Sequence, residues 1–255
     1  MGYFAESSKK GGVADKLWHM VRTLSIVIPA YNEGSFIGEI LKRVVAVKLG
    51  AIKKEIIIIN DGSTDKTKEI IERWSKKKIS GVSVKVFHKK NGGKGSAMRK
   101  GLKEVTGDVV IIQDADLEYD PKDYIQLIRP IQEGEADVVY GSRFMGEKPH
   151  RVHFFWHMVA NNSLTLISNM FTNLNLTDME TGYKMFTADV AKRIALKENG
   201  FGMEPEFTAK IAKMKCRVFE VGISYHGRSY EQGKKIGWKD GVMALWCILR
   251  YNLFD

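Results

Sequence analysis

Residues 109 to 118 read Val109-Val110-Ile111-Ile112-Gln113-Asp114-Ala115-Asp116-Leu117-Glu118. The first half is an apolar run that predicts a buried strand, and the second half carries three carboxylates spaced two positions apart. Alternate residues of an extended chain point to the same side, so Asp114, Asp116 and Glu118 are expected to converge at a strand end. Such hard oxygen ligands suit Mg²⁺ or Mn²⁺, although acidic residues after a strand also form solvated turns.

Strands and helices alternate around this stretch. Apolar runs and helical spacing predict strands over residues 24–28, 55–60, 82–88, 109–113 and 136–141, with helices over 35–47, 64–77, 94–105 and 121–133. Strands that are apolar throughout, such as residues 56–59, are typical of a parallel sheet covered by helices on both faces. The sequence therefore predicts an α/β fold with a mainly parallel sheet flanked by helices.

Polar or glycine-rich turns follow five successive strands of this predicted sheet. In an open parallel sheet, ligands bind at the carboxyl ends of the strands, so we expect these turns to share one site. The turns are Pro29-Ala30-Tyr31-Asn32-Glu33, Asn60-Asp61-Gly62-Ser63-Thr64-Asp65, Lys90-Asn91-Gly92-Gly93-Lys94-Gly95, the acidic group that begins at Asp114, and Gly141-Ser142-Arg143.

The alternation breaks after Ser142. Helices are predicted over residues 154–171, 206–214 and 238–254, and strands over 182–186 and 218–225. Residues 151–171 and 238–254 carry Trp and Phe beside basic residues, a profile typical of helices in a membrane headgroup region; packing on the sheet or a dimer contact is the alternative. The predicted organisation is a flexible basic arm over 1–22, one domain over 23–235 with an interfacial helix near 152–172, and a C-terminal amphipathic helix over 236–255.

Charge and cysteine content limit the partners that the chain can have. A formal net charge of +10 predicts attraction to an anion such as a nucleotide, an acidic membrane surface or nucleic acid. The basic residues are scattered along the chain, so we expect no nucleic-acid partner. The only two cysteines, Cys216 and Cys247, suit a reducing cytosol. Because neither a signal peptide nor an apolar run of about 18 residues is visible, the protein is expected to be soluble or to lie on a membrane.

Taken together, the turns resemble those of the family 2 glycosyltransferases, which have the GT-A (Rossmann-like) fold with a nucleotide-sugar site at the strand carboxyl ends. The resemblance covers residues 24–230 and is closest to the polyprenyl-phosphate sugar synthases, which make dolichyl-phosphate mannose or glucose. Order and spacing carry it more than any single motif. The matching segments are Val27-Ile28-Pro29-Ala30-Tyr31-Asn32-Glu33, Asn60-Asp61-Gly62-Ser63-Thr64-Asp65, Asn91-Gly92-Gly93-Lys94-Gly95, Asp114-Ala115-Asp116 and Gly141-Ser142-Arg143.

The resemblance implies that a nucleotide sugar binds at the first four turns. Asp61 resembles the carboxylate that hydrogen-bonds the base, with a helix cap as the alternative. Asp114 resembles the carboxylate that faces the nucleotide. Asp116, assisted by Glu118, resembles the ligand of a Mn²⁺ or Mg²⁺ ion. The implied nucleotide-binding residues are Pro29, Ala30, Tyr31, Glu33, Asp61, Lys94, Asp114 and Ala115.

The acceptor side is implied by residues that follow the fifth strand. Arg143 resembles an arginine that binds the acceptor phosphate, a role that suits the forked guanidinium group. Arg151 and Lys234 are expected to bind the same phosphate. His150 and His153 lie close to Arg151 in the sequence. The resemblance therefore favours an anionic acceptor.

Two acidic segments and a basic loop complete the implied site. Asp178 and Glu180 resemble a turn that orients the donor sugar or the acceptor, although either one could simply cap a loop. Arg228 lies where relatives close a basic loop over the diphosphate. Glu204 and Glu206 either belong to the site or favour the positive end of a helix. The implied catalytic residues are Asp116, Arg143, Asp178, Glu180 and Arg228.

The leading hypothesis is an inverting, metal-dependent glycosyltransferase that moves a hexose from a nucleotide sugar to a polyprenyl (dolichyl) phosphate. UDP-glucose is favoured over GDP-mannose as the donor. One alternative is transfer to a hydroxyl group of a glycan or small molecule, and another is a non-catalytic module that binds anionic lipid. We expect peripheral attachment to the cytoplasmic face of a membrane, and a separate anchoring subunit is a further candidate partner.

Overall fold

The computed structural model describes residues 21–146, 155–227 and 238–255. A seven-stranded sheet lies at its centre. The strands are β1 (Thr23–Ala30), β2 (Lys53–Asn60), β3 (Val82–His88), β4 (Val109–Ile112), β5 (Val138–Ser142), β6 (Lys184–Thr187) and β7 (Val218–Gly222). Their order across the sheet is β3-β2-β1-β4-β6-β5-β7.

The pairing of the strands confirms the predicted mainly parallel sheet. β1 is parallel to β2 and to β4, β2 is parallel to β3, and β5 is parallel to β7. β6 is antiparallel to both of its neighbours, β4 and β5. The chain therefore departs from simple strand–helix alternation after β5, at the point where the sequence pattern also changes.

Helices cover both faces of the sheet. They are α1 (Ile37–Ala46), α2 (Thr67–Ser75), α3 (Lys94–Lys103), α4 (Tyr124–Gln132), α5 (Phe155–Thr172), α6 (Ala188–Arg193), α7 (Met203–Lys213) and α8 (Trp238–Leu253). Residues of α1, α2 and α4 pack with Ile58 of β2 in one core. Residues of α3, α6, α7 and α8 pack with the adjacent Ile57 in a second core. This alternation is why β2 is apolar at consecutive positions.

Several element boundaries differ from the prediction. α2 begins at Thr67, and the carboxylate of Asp65 accepts the Thr67 N–H at 2.9 Å. The Ser63 hydroxyl, three residues before Lys66, accepts the Asn32 N–H at 3.0 Å and does not cap the helix. The helix predicted over 121–133 begins as a 3₁₀ turn at Pro121–Asp123. The sequence pattern did not predict α6, which is too short to show helical periodicity.

The helices α5 and α8 pack against each other and expose apolar side chains. Trp156 and Met170 of α5 are 77% and 75% exposed, and Trp246 of α8 is 53% exposed. No helix within the described ranges is long and apolar enough to cross a membrane. The predicted arm over 1–22 lies almost entirely outside the described residues, so the structure does not bear on it.

Candidate active site

The carboxyl ends of β1, β2 and β4 meet at one edge of the sheet. The Asp61 N–H donates to the carbonyl of Ala30 at 2.9 Å, and the Gln113 N–H donates to the carbonyl of Val27 at 3.0 Å. These two bonds extend the parallel ladders by one residue beyond the strands. The turns at residues 29–33, 61–65 and 113–118 are therefore brought together, as their sequence positions predicted.

The residues of the first turn have different degrees of exposure. Ala30 and Glu33 are buried, whereas Tyr31 is 42% exposed. The Glu33 N–H donates to Thr67 Oγ1 at 2.9 Å, which fixes the turn against the first residue of α2. Pro29 pairs in register with Ile59 of β2. This arrangement leaves the Tyr31 ring as the exposed large apolar side chain of the turn.

Asp61 organises the glycine-rich loop before α3. Its buried carboxylate accepts the N–H groups of Gly92 at 3.0 Å and Gly93 at 2.7 Å, and it pairs with Lys89. Gly93 has φ +87°, and a Cβ there would lie 2.5 Å from the Asn199 carbonyl oxygen. The Asp61 carboxylate therefore binds the loop directly before α3.

Lys94 joins the two acidic residues nearest to it. Its ammonium nitrogen lies 2.9 Å from Asp114 Oδ1 and 3.2 Å from Glu204 Oε1. The second oxygen of Glu204 pairs with the fully buried Lys184. Burial opposes the charge of Lys94, but Asp114 and Glu204 raise its pKa above the ordinary value. The result is a chain of alternating charges next to the turns that follow the parallel strands.

Glu204 and Glu206 therefore have different roles in the structure. Glu204 contacts Lys94 at the edge of the candidate site. Glu206 is fully buried and accepts the N–H groups of Lys197 at 2.6 Å and Glu198 at 2.8 Å. Glu206 thus holds the segment before α7, a structural function, and only Glu204 belongs to the charge chain.

Asp116 and Glu118 begin a turn after β4. Asp116 is buried, and its Oδ1 accepts the Glu118 N–H at 3.1 Å. Glu118 Oε2 accepts the Tyr225 hydroxyl at 3.0 Å. In the part of the chain that the structure describes, no three Asp, Glu, His or Cys side chains are grouped closely enough to hold a metal ion.

This donor set still fits a divalent metal ion that arrives with its substrate. Mg²⁺ commonly binds one or two carboxylates and completes its shell with substrate phosphates and water. Asp116, with Glu118 beside it, offers hard oxygen atoms of that kind. Asp114 is less suited to the role, because Lys94 already neutralises its Oδ1.

Arg143 is held by a buried carboxylate. Its Nε and Nη2 donate to Asp178 Oδ2 and Oδ1, each at 2.7 Å, and its backbone N–H donates to Oδ2 at 3.0 Å. Nη2 also donates to Asn161 Oδ1 of α5 at 3.0 Å. No described residue accepts a hydrogen bond from Nη1. Burial opposes the charge, but Asp178 raises the pKa of Arg143 well above its usual range. Arg143 therefore keeps its charge, and among the described residues its Nη1 donors have no acceptor.

Glu180 differs from the other acids of the site. Its Oε1 is buried without a hydrogen-bond partner among the described residues. Burial and then the charge of Glu204 raise the pKa of Glu180 to about 7, although Lys184 and Arg143 act in the opposite direction. Glu180 therefore changes its protonation state near neutral pH.

The segment 176–179 is bound along one side of α5. Asn169 accepts the Leu176 N–H at 3.1 Å and donates to the Leu176 carbonyl at 2.7 Å, and Thr165 Oγ1 accepts the Met179 N–H at 3.2 Å. Asn161 donates to Asp178 Oδ1 at 3.3 Å. Asn161, Thr165 and Asn169 form a polar stripe that fixes the loop containing Asp178.

The comparisons with known proteins bear directly on this geometry. The sequence profile described as Glycosyl transferase family 2 matches residues 25–195, which include the turns after β1 to β5 and the Asp178 segment. The chain is a family 2 glycosyltransferase.

Two relatives of this glycosyltransferase have names that refer to dolichol phosphate or dolichyl phosphate. A dolichol-phosphate mannosyltransferase from Pyrococcus furiosus is 30% identical over 218 residues, covering 84% of this chain and 60% of that protein. A dolichyl-phosphate beta-glucosyltransferase from Trichomonas vaginalis is 27% identical over 218 residues, covering 80% of this chain and 65% of that protein. The chain spans less than two thirds of the length of either relative.

A solved structure supports the fold of this glycosyltransferase. Glucosyl-3-phosphoglycerate synthase from Mycobacterium tuberculosis, in complex with Mn²⁺, UDP and glucosyl-3-phosphoglycerate, matches with a TM-score of 0.68 at 19% identity. The match covers 91% of this chain and 80% of the synthase. The predicted GT-A fold is therefore confirmed.

Sequence reasoning did not identify two residues that shape the site of this glycosyltransferase. The Tyr119 hydroxyl accepts the Gly182 N–H at 2.8 Å, and a Cβ on Gly182 would lie 2.4 Å from Asp114 Oδ2. Tyr119 directly follows the acidic group in sequence, which was the available signal. Asn161 interrupts an otherwise mainly apolar helix, but only the packing of α5 reveals its contact with Arg143.

The remaining predicted residues lie outside the described part of the glycosyltransferase. They are His150, Arg151, His153, Arg228 and Lys234. Their assignments remain predictions. Ala115, the last of the nucleotide-binding set, lies buried in the core between Asp114 and Asp116.

Proposed function

We propose that this glycosyltransferase moves a hexose from a nucleotide sugar to a polyprenyl phosphate, with inversion at the anomeric carbon and with a divalent metal ion. The observation that carries the acceptor class is Arg143 Nη1, from which no described residue accepts a hydrogen bond, beside the 2.7 Å bonds of Nε and Nη2 to the buried Asp178. The names of the two lipid-linked relatives support the same class of acceptor.

A phosphate acceptor requires a cationic side chain such as arginine to hold it more than it requires a general base. The second pKa of a phosphate monoester is about 6, so most of it is dianionic at neutral pH and is already nucleophilic. Such an acceptor needs a cation to hold and orient it and little proton removal. Because Asp178 fixes the plane of the Arg143 guanidinium, the remaining N–H donors would approach the phosphate without loss of side-chain freedom.

The donor is proposed to occupy the turns after β1 to β4, with its diphosphate near Asp116. Asp116 and Glu118 would hold the metal ion, which when bound stabilises the negative charge of the departing diphosphate. Lys94 keeps Asp114 in place through its 2.9 Å ion pair. UDP-glucose is the first choice of donor and GDP-mannose the second.

A hydroxyl acceptor is the second candidate, and Glu180 is the observation that favours it. A carboxyl group with a pKa of about 7 and one buried oxygen that has no hydrogen-bond partner among the described residues has the properties of a general base for neutral pH. Under the leading proposal, Glu180 would instead lie beside the acceptor phosphate and disfavour its binding when charged. The two candidates therefore assign opposite importance to the Glu180 carboxylate.

Peripheral attachment to the cytoplasmic face of a membrane is proposed from the surface of α5 and α8. Trp156, Met170 and Trp246 are exposed on two helices that pack together, and α5 contains no Lys, Arg, Asp or Glu. Exposed apolar helix faces rich in Trp and Phe are typical of helices at the membrane interface. Both cysteines are unpaired, which fits a reducing compartment.

The test is a transfer assay with matched acceptors. Purified protein is mixed with Mn²⁺, UDP-[¹⁴C]glucose or GDP-[¹⁴C]mannose, and either a polyprenyl phosphate or the polyprenol of the same length, both in the same detergent. We expect label in the lipid phase with the phosphate and none with the alcohol, and loss of transfer with excess EDTA.

Transfer to the polyprenol, or to a soluble glycan in place of the phosphate, would favour the second candidate. Absence of transfer to every acceptor, together with absence of nucleotide binding in a thermal-shift titration, would reject the proposed function. Product stereochemistry by NMR checks inversion, which requires a β-linked product from an α-linked donor.

A further inference from the structure

A basic cleft lies beside the C-terminal end of α8. Its volume is about 290 Å³, and it is lined by residues of α6, of α7 and of the segment between them. Its cations are Arg193, Lys197, Lys210 and Lys213. Asp255, which follows α8 by two positions, also lines the cleft.

The ammonium groups of three lysines converge on Asp255. Lys197 Nζ pairs with its Oδ1, Lys210 Nζ lies 3.8 Å from its Oδ2, and Lys213 Nζ donates to its backbone carbonyl at 2.5 Å. The hydrogen bond from Lys197 lowers the pKa of the Asp255 carboxyl. The cleft thus already accommodates an anion supplied by the chain itself.

The positive charge of the cleft is only partly neutralised by neighbouring acids. Arg193 pairs with Asp189 at 2.9 Å, and Lys210 pairs with the buried Glu206 at 2.6 Å. Among the described residues, no Asp or Glu side chain forms an ion pair with Lys213, whose ammonium group donates to the main-chain oxygen of Asp255. An external anion in place of Asp255 would therefore meet the ammonium groups of both Lys197 and Lys213.

The cleft lies at the end of an apolar helix face. Val242, Trp246 and Leu253 are spaced four and seven residues apart, and each is more than half exposed. This spacing puts them on one face of α8. Phe254 is 77% exposed and directly precedes Asp255. An exposed apolar side chain is therefore the sequence neighbour of the residue that lies in the cationic cleft. A phospholipid has the complementary arrangement, with apolar acyl chains next to an anionic phosphate.

We propose that this cleft binds the phosphate headgroup of an anionic phospholipid, and that Asp255 occupies it when no lipid is present. The inference rests on the membrane attachment in the proposed function and adds a lipid preference to it. A headgroup phosphate would exchange with the Asp255 carboxylate at Lys197 and Lys213, while the exposed apolar face of α8 and the neighbouring Phe254 contact acyl chains. Basic residues near a membrane surface each contribute about fivefold in affinity for anionic lipid.

Vesicle flotation tests the proposal. The whole chain is mixed with vesicles of phosphatidylcholine alone or of phosphatidylcholine with one third phosphatidylglycerol, at low and at high salt. We expect stronger binding to the anionic vesicles, by about tenfold or more, and a loss of this difference at high salt. Lys197→Gln and Lys213→Gln should each reduce anionic binding about fivefold with little effect on neutral vesicles, and Asp255→Asn should increase it.

The matched control is Lys68→Gln. Lys68 is an exposed lysine of α2, and α2 packs on the face of the sheet opposite α8. This variant loses the same charge and should float like the wild type. Equal loss of binding in Lys68→Gln would show that net charge alone attracts the vesicles, and it would overturn the proposal.

Two further outcomes would also overturn the headgroup site. One is equal binding of the wild type to neutral and anionic vesicles. The other is inorganic phosphate that stabilises the protein in a thermal-shift assay, through Lys197 and Lys213, while anionic vesicles do not bind. Neither outcome affects sugar transfer to detergent-dispersed polyprenyl phosphate, which tests the proposed function separately.

Discussion

The two halves of the candidate site are built on opposite principles. In the proposed donor half, comprising Asp61, Lys94, Asp114 and Asp116, the charged groups pair with one another or with neighbouring residues: Lys94 lies between Asp114 and Glu204, and Asp61 binds Lys89. In the proposed acceptor half, comprising Arg143, Asp178 and Glu180, Arg143 is also paired with Asp178, but among the described residues Arg143 Nη1 and Glu180 Oε1 have no hydrogen-bond partner. An anionic ligand in the proposed donor half would therefore need an added cation such as a metal ion. An anionic ligand in the proposed acceptor half could bind to the Nη1 donors of Arg143.

The largest effect is expected from Asp116→Asn. The substitution keeps the size of the side chain and removes the charge proposed to hold the metal ion, so turnover should fall by roughly 10³-fold. Labelled transfer to polyprenyl phosphate measures it. The matched control is Asp120→Asn, because Asp120 caps the 3₁₀ turn through Lys122 N–H at 3.0 Å. If Asp116→Asn retains metal-dependent turnover, the assignment of the donor half is wrong.

Arg143→Lys should act on the acceptor half alone. Lysine keeps one positive charge against Asp178, so the buried carboxylate remains paired, but the forked geometry is lost. We expect the KM for polyprenyl phosphate to rise by about 10-fold to 100-fold, with little change in the binding of UDP or GDP followed by thermal shift. An equal loss of nucleotide binding would show that the two halves are not separate.

Lys94→Met should produce a smaller change in the opposite half. Glu204 keeps its partner Lys184, while Asp114 loses the ion pair at 2.9 Å and becomes free to move. We expect the donor KM to rise about tenfold and the acceptor KM to stay constant in steady-state kinetics. A rise in acceptor KM alone would contradict the place of Lys94 in the donor half.

For a phosphate acceptor, the smallest effect on turnover at neutral pH is expected from Glu180→Gln. Because the pKa of Glu180 is raised to about 7 in the folded chain, the native state holds a proton that the unfolded state loses near its ordinary pKa. Stability should therefore fall as pH rises from about 4.5 to 7. Glutamine mimics the protonated form and should remove this slope, with a gain in the free energy of unfolding of about 3 kcal/mol above pH 7.

The same variant separates the two acceptor classes. For a phosphate acceptor, the wild-type KM should rise through pH 7 as Glu180 becomes charged, and Glu180→Gln should make the profile flat while activity is retained. For a hydroxyl acceptor, loss of the carboxylate should reduce kcat by about 10²-fold to 10⁴-fold. Rate profiles between pH 5.5 and 8.5 distinguish these outcomes.

The donor half could be predicted from the sequence in more detail than the acceptor half. Its residues follow parallel strands directly, so strand pattern and strand-end geometry were enough to bring the turns at Tyr31, Asp61 and Asp116 together. The contacts of Glu204 and Asn161 depend on how α7 and α5 pack over the sheet, which no local pattern reports. Asp61 shows the same limit, because the bond to Gly93 joins residues far apart in the chain.

The polar stripe of α5 links the choice of detergent during purification to the geometry around Asp178. One side of the helix holds residues 176–179 through Asn161, Thr165 and Asn169, and the other side exposes Trp156 and Met170. A detergent micelle that binds the exposed side of α5 can shift the helix. Because the opposite side of the same helix positions Asp178, such a shift would change the acceptor half. Purification conditions are therefore expected to alter acceptor kinetics, and nanodiscs and micelles should give different acceptor KM values for one and the same preparation.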